Sequence, residues 1–183
     1  LDWSSKIMPV LNEFIIANEN QYRPVVVILA DRDKVKMEEQ IAAEVGDTRN
    51  TRIICRSGNP SRLADLDIVS PATARSVIVL QGQQDNSDAT NLRIVLALRQ
   101  MAGYPLPFTV VVEMIHDKNA DAIRRIDEKV LVVRSGELIT RIIVQATREP
   151  GLSHVFNEIL TFKGSEIYFQ YEPRVEGQSF REA

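Results

Sequence analysis

Short apolar runs alternate with longer amphipathic stretches over most of this chain. The runs are rich in Val and Ile and occupy residues 25–30, 51–56, 76–80, 108–113 and 129–133. Between them, apolar residues recur at helical spacing. Continuous apolar strands separated by helices are typical of a parallel sheet with helical crossovers. The pattern therefore predicts an α/β fold with a Rossmann-like, doubly wound parallel sheet.

The pattern changes after the last predicted strand. Residues 138–146 are strongly apolar at helical spacing, Pro150 and Gly151 interrupt the pattern, and residues 152–160 resume it. This predicts a helix–turn–helix arm that projects from the sheet. Such an arm needs an apolar partner, which is either another subunit or the sheet of its own chain; the abrupt Pro-Gly break favours another subunit.

These patterns divide the chain into three parts. Residues 1–136 form a Rossmann-like lobe, in which the strand expected before Leu1 is missing from the sequence. Residues 137–171 form the crossover helices and a dimerisation arm. Residues 172–183 follow the arm as the third part.

Composition narrows the possible functions. The net charge of −3 argues against a nucleic-acid partner, which usually requires a basic face. No apolar run approaches the roughly 18–20 residues that span a bilayer. Cys55 is the single cysteine and lies in an apolar run, so we expect a buried structural thiol. The sequence contains no P-loop, nucleophile elbow or zinc-ligand spacing, and we expect no enzyme activity.

Charged residues follow the first two predicted strands, and open parallel sheets bind ligands at the carboxyl ends of their strands. Asp31 and Asp33 end the first run, and Arg56 ends the second. These three residues are candidates for binding a nucleotide, with Asp31 at the position of an acid that holds ribose hydroxyls. The alternative is structural: Asp33 caps the next helix and Asp31 closes the turn before it.

A second group of carboxylates follows the later strands. Asp85 and Asp88 flank the start of a long predicted helix, and Glu113 ends the neighbouring strand. Because adjacent parallel strands end at the same edge, we expect these carboxylates to converge into a metal site, and Ca²⁺ prefers such oxygen ligands. The alternative is that Asp85 or Asp88 caps the helix while Glu113 pairs with a base such as Arg99 or Lys118.

A dinucleotide-binding fold carries a glycine-rich turn after its first strand. Here that turn falls at residues 1–5, which contain no glycine and include the bulky Trp3. Binding of NAD, ATP or another nucleotide is therefore the less favoured alternative to a cation.

Several segments together identify a family resemblance. They are Cys-Arg-Ser-Gly at 55–58, Leu-Ala-Asp-Leu at 63–66, Asp-Arg-Asp at 31–33 and Asp-Asn-Ser-Asp-Ala at 85–89. Over nearly its whole length the chain resembles the cytosolic regulatory region of the CASTOR/POLLUX cation channels, an RCK domain of the TrkA-N-like type. The resemblance also implies that residues 172–183 are the start of a following subdomain that is truncated at Ala183. One departure from the family is Asp2, where the family usually has glycine before Trp3.

The resemblance implies a gating-ring module that senses a ligand on the cytosolic side of the membrane. Domains of this type form homo-oligomers through their C-terminal helices and act on a membrane pore, which lies outside this chain. The resemblance further implies a response to Ca²⁺ at the strand ends, carried by Asp85 or Asp88 together with Glu113. A scaffold that assembles without any ligand is the remaining alternative.

Overall fold

In the part of the chain that the structure describes, five parallel strands are interspersed with seven α-helices. The computed structural model describes residues 1–82, 87–163, 171 and 173–179. The strands are β1 (Val25–Ala30), β2 (Arg52–Ser57), β3 (Ser76–Val79), β4 (Thr109–Glu113) and β5 (Val130–Val133). The helices are α1 (Ile7–Ala17), α2 (Lys34–Glu44), α3 (Leu63–Asp67), α4 (Ser87–Ala102), α5 (Asp117–Arg124), α6 (Ser135–Arg148) and α7 (Leu152–Leu160).

The strands form two parallel groups, and this confirms the predicted α/β, Rossmann-like fold. β1 pairs with β2, and β4 lies between β3 and β5. Every pairing is parallel. Ile28 lies opposite Cys55 in the first group, and Ile78 lies opposite Val111 in the second. Each connection between paired strands carries a helix, as parallel strands require.

The first two residues lie between the two groups of strands. The backbone N–H of Asp2 donates to the carbonyl of Leu29 in β1 (2.9 Å), and the N–H of Leu80 donates to the carbonyl of Leu1 (3.0 Å). From one edge of the strand layer to the other, the order is β2, β1, residues 1–2, β3, β4, β5. This places residues 1–2 where a doubly wound fold has its first strand, at the point where the strand order reverses and ligands bind.

Two apolar clusters fix the helices to the sheet. Met37, Leu11 and Cys55 belong to a cluster in which α1 and α2 cover β1 and β2. Leu98, Val110 and Ile123 belong to a second cluster in which α4 and α5 cover β3, β4 and β5. Cys55 is buried and free, and burial raises the pKa of its thiol, which agrees with the expected structural role.

The Cys-Arg-Ser-Gly segment at 55–58 and the Leu-Ala-Asp-Leu segment at 63–66 pack against each other where β2 turns into α3. Gly58 follows β2, and a β-carbon at this position would lie only 3.0 Å from the β-carbon of Asp65 and 3.0 Å from Leu29. Asp65 in turn accepts a hydrogen bond from the backbone N–H of Asn59 (2.8 Å). Glycine is therefore needed after Cys55-Arg56-Ser57 because α3 packs directly against it.

The last two helices lie at the surface, with Ile142, Ala146 and Phe156 half-buried. No residue of α6 or α7 is buried, although both carry a stripe of large aliphatic side chains. Ile139 and Ile143 are 53% and 59% exposed, and Ile159 is 48% exposed. Within the described part of the chain, no helix is long and apolar enough to cross a membrane.

Candidate functional site at the carboxyl edge of the sheet

The residues that end β3, β4 and β5 meet the beginnings of α1, α4 and α6 at one edge of the sheet. Two nearly buried carboxylates lie there, on Asp88 and Glu113, with 5% and 6% of each residue exposed. Both were predicted from the sequence as metal ligands. Asp85, the third predicted ligand, lies outside the described residues.

Asp88 receives hydrogen bonds on both of its carboxylate oxygens. Oδ1 accepts from the backbone N–H of Ile115 (2.9 Å) and from the amide of Gln81 (3.4 Å). Oδ2 accepts from the backbone N–H of His116 (3.0 Å), from Nδ1 of the same residue (2.8 Å) and from the amide of Asn119 (3.0 Å). Asp88 therefore fastens the first turn of α4 to the loop between β4 and α5.

The side-chain carboxylate of Glu113 is held by donors from three other segments. Its Oε1 accepts from the ammonium of Lys6 and from the hydroxyl of Ser135 (2.5 Å). Its Oε2 accepts from the backbone N–H of Gln81 (3.2 Å), and its backbone carbonyl accepts from the amide of Asn91 (2.8 Å). One carboxylate thus connects the start of α1, the residue after Leu80 and the first residue of α6.

The surroundings keep both carboxylates ionised. Burial by itself raises the pKa of Asp88, but the hydrogen bonds from Ile115, Asn119 and His116 outweigh it and hold that pKa below its usual value. Burial likewise raises the pKa of Glu113, and the bonds from Lys6, Ser135 and Gln81 lower it further than burial raises it. A carboxylate that accepts several hydrogen bonds is stabilised in its charged form.

The base that pairs with Glu113 is Lys6, and sequence reasoning missed it. Arg99 and Lys118 were the partners considered from the sequence, because they lie nearer along the chain. Lys6 is 107 positions away and reaches Glu113 from the beginning of α1. Ser135 was also missed, since an isolated serine after a strand gives no signal of the acceptor that it meets.

The donors around Glu113 differ in kind from those around Asp88. Among residues 1–82, 87–163, 171 and 173–179, no three His, Cys, Asp or Glu side chains are placed to hold a metal ion. Asp88 has both oxygens occupied by donors that are fixed in the backbone or in neighbouring side chains. At Glu113 one of the donors is itself a cation, on a side chain that is 46% exposed. The oxygens of Glu113 and Ser135 are ligands that suit a hard cation.

The three residues predicted to bind a nucleotide lie at or just beyond the ends of β1 and β2. Asp33 accepts a hydrogen bond from the backbone N–H of Lys36 (3.0 Å) and caps α2. Arg56 donates to the carbonyl of Cys55 (2.9 Å), and Asp31 is exposed. No hydrogen bond or ion pair joins Asp31, Asp33 and Arg56 to one another among the described residues.

Asp2 adds a further negative charge at the first turn. Its φ of 71° lies in the left-handed region, which explains why glycine suits this position. Its carboxylate accepts from the backbone N–H of Trp3 (2.8 Å) and lies so close to Gly82 that a β-carbon there would come within 2.6 Å. A carboxylate in the turn where dinucleotide folds place phosphates repels a phosphate.

Comparison with known proteins bears out the family resemblance. A family model described as "Castor and Pollux, part of voltage-gated ion channel" matches residues 136–183. The probable ion channel CASTOR of Oryza sativa subsp. japonica is 37% identical over 185 aligned residues, and the probable ion channel POLLUX of Arabidopsis thaliana is 38% identical over 189. The ion channel CASTOR of Lotus japonicus is 37% identical over 185.

These alignments cover the whole of this chain but a small part of each relative. All of the 183 residues fall within them, against 21% of the rice protein and 22% of the other two. The chain therefore spans about a fifth of the length of the curated relatives it matches.

Proposed function

We propose a channel-regulating role for this chain, which is related along its whole length to a segment of the CASTOR and POLLUX ion channels. It is an RCK-type domain on the cytosolic side of a cation channel, with the pore formed by residues outside this sequence. It assembles with copies of itself through α6 and α7, senses a ligand at the carboxyl edge, and catalyses no reaction.

The exposed apolar stripe of α6 and α7 is the observation that carries this proposal. Its members recur at helical spacing and include Leu138, Ile139, Ile143, Val155, Ile159 and Leu160. Contiguous apolar patches of this kind mark interaction sites. A second copy is the natural occupant, because the same helices then cover one another around a two-fold axis.

Two contacts position the arm so that this stripe stays open to a partner. Ser135 at the start of α6 donates to Glu113, and the backbone N–H of Phe162, just after α7, donates to the carboxylate of Glu13 in α1 (3.1 Å). The arm is thus attached at its beginning and its end, while its aliphatic side chains remain exposed.

Deleting residues 138–160 tests the assembly. We expect the intact chain to scatter light as a dimer or a larger oligomer and the shortened chain to scatter light as a monomer. An oligomer of unchanged mass after the deletion would contradict assembly through these helices.

The ligand that we propose is Ca²⁺, bound through Glu113. A cation is favoured over NAD or ATP because the carboxylate of Asp2 occupies the turn that a pyrophosphate requires. Such an ion shifts the assembly only if it binds one arrangement of the subunits better than another.

Replacement of Glu113 tests the cation site. Calorimetric titration of the intact chain with CaCl₂ should show saturable heat, with MgCl₂ and NAD as comparison ligands. Glu113→Gln keeps the shape of the side chain but removes its charge, and we expect at least a tenfold loss of Ca²⁺ affinity. Retention of full affinity by Glu113→Gln would place the ion elsewhere. No heat with any ligand from the intact chain would favour a scaffold that assembles without one.

A further inference from the structure

One face of the sheet is left open beside β5. Successive residues of a strand point to opposite faces, and Val112 of β4 is buried on the face that α4 and α5 cover. On the other face, Leu131 of β5 lies beside Val111 of β4, and Val133 lies beside Glu113. Leu131 and Val133 are 53% and 39% exposed, and Val111 is half-buried. These three aliphatic residues, which we call the sheet strip, are incompletely covered although parallel sheets normally bury both faces.

Helix α1 borders the sheet strip on the side away from the edge of β5. Lys6, at the beginning of this helix, donates to Glu113, and Glu13 accepts from the backbone N–H of the second residue after α7. Residues three and four apart lie on one side of a helix, so Val10 and Phe14 share this side with Lys6 and Glu13. Both are half-buried. The sheet strip and this side of α1 therefore form one apolar surface beside the arm.

We infer that the sheet strip is the seat for the arm of a second copy, so that each copy lays apolar side chains of α6 and α7 on the strip of the other. This inference rests on the proposed assembly through these helices and names the surface that they meet besides each other. Only Arg134 separates Val133 from Ser135, the first residue of α6, so the strip continues into the apolar stripe of the arm. A two-fold axis makes the contact twice, because each copy contributes one arm and one strip.

The limited size of the apolar stripe favours an enlarged contact. Full burial of an aliphatic side chain removes about 60–120 Å² of apolar surface from water. The side chains of the stripe are already about half covered, so each has roughly 30–60 Å² left to bury. A specific interface buries about 800 Å² on each partner, and the six side chains named above for the stripe supply less than about half of that area. The sheet strip adds apolar surface directly beside the arm.

The arm of the same chain is the other candidate for covering the strip. This arm is held at both ends, because Ser135 donates to Glu113 and the backbone N–H of Phe162 donates to α1. In that position Ile143 is still 59% exposed and Leu131 is still 53% exposed. An arm that is fixed at both ends and leaves its own stripe open does not cover the strip beside it. The arm of a second copy has no such restriction and meets the stripe and the strip together.

Leu131→Glu tests this inference, with Val25→Glu as the matched control. Val25 is also 53% exposed and lies on β1, on the face of that strand turned away from α1. We expect Leu131→Glu to raise the dissociation constant of the assembly at least tenfold in sedimentation equilibrium, because its carboxylate would be buried against the stripe of the partner. Val25→Glu should leave the dissociation constant unchanged. Both variants should fold, since neither side chain is buried within one chain.

Cross-linking identifies the occupant of the strip directly. A chain with Leu131→Cys is mixed with a longer, tagged chain that carries Ile143→Cys, and a short bismaleimide is added. Cys55 is buried and should not react. We expect a product that joins the two chains, at a higher yield than with Val25→Cys in place of Leu131→Cys. This measurement also decides the case if Leu131→Glu does not fold.

The outcomes separate this inference from the proposed assembly. If deletion of residues 138–160 gives monomers while Leu131→Glu keeps the dissociation constant of the intact chain, the seat is overturned and assembly through α6 and α7 stands. A double variant Leu131→Cys/Ile143→Cys that cross-links only within one chain would assign the strip to its own arm and would also overturn the seat. An intact chain that is itself a monomer would overturn both the seat and the assembly.

Discussion

The double variant Ile139→Glu/Ile143→Glu is expected to convert the proposed oligomer into monomers. Both side chains lie on the aliphatic stripe of α6 and are more than half exposed in the single chain. Burying an isoleucine at an interface contributes about 1.5–3 kcal/mol, and two isoleucines therefore account for at least about a hundredfold in the dissociation constant. Two buried carboxylates would weaken the association further.

The control for this variant is Thr140→Glu/Thr147→Glu. It adds the same charge to the same helix, at threonines whose hydroxyls bond to carbonyls of α6 itself. Sedimentation should show monomers for the isoleucine variant and the mass of the intact assembly for the threonine variant. The two glutamates should change the melting temperature of the single chain little, because no residue of α6 is buried within one chain. Equal masses for the two variants would contradict the proposed interface.

The variant Asp88→Ala is expected to destabilise the fold by about 2–4 kcal/mol in the absence of any added cation. The substitution leaves the backbone N–H groups of Ile115 and His116 and the amide of Asn119 without their acceptor. Each unsatisfied donor at a nearly buried position costs about 1–3 kcal/mol. Part of this cost is recovered where water enters and accepts a hydrogen bond from the donor. For a chain of this length the melting temperature should fall by roughly 5–15 °C.

Asp121→Ala serves as its control, since Asp121 lies on the neighbouring α5 with its side chain 70% exposed. We expect a change of less than about 0.5 kcal/mol for this variant. Urea unfolding in the presence of EDTA measures the free energy of unfolding of both variants. Equal stability of the two variants would contradict the fastening role of Asp88.

Acid should remove the stabilisation that the carboxylates of Asp88 and Glu113 give to the folded chain. The pKa of Asp88 and that of Glu113 are lowered in the folded chain, so the native state binds fewer protons than the unfolded state in acid. The two carboxylates stabilise the fold fully above the ordinary carboxyl pKa of about 4. They lose this effect as the pH falls through the lowered pKa values that they have in the folded chain. Asp88→Ala should accordingly show a smaller loss of stability between neutral and acidic pH than the intact chain.

The fold could be predicted because its signals are local. Val-rich runs such as Val25-Val26-Val27-Ile28 specify buried strands, and the amphipathic stretches between them specify helices. The rule that parallel strands end together then brought Asp88 and Glu113 to the same edge, where the structure places them. The exposed aliphatic face of α6 and α7 followed from spacing alone.

The contacts within the site could not be predicted, because they join residues that are far apart in sequence. Nothing around Lys6 indicates that it pairs with Glu113, and both Ser135 and Gln81 meet that carboxylate only after the sheet has formed. His116 was visible as a histidine in a strand-end loop, but its bond to Asp88 depends on how α4 enters the sheet. Sequence periodicity gives the layers of the fold but not the donors that surround each carboxylate.

Amide hydrogen exchange at low and high protein concentration tests the central claim most directly, because it reports on α6 and α7 themselves. If a second copy covers their apolar stripe, exchange in residues 135–160 should slow as the concentration rises, while exchange in β4 stays the same. If exchange in these helices is equally fast at every concentration, no copy of the chain covers them and the proposed assembly is wrong.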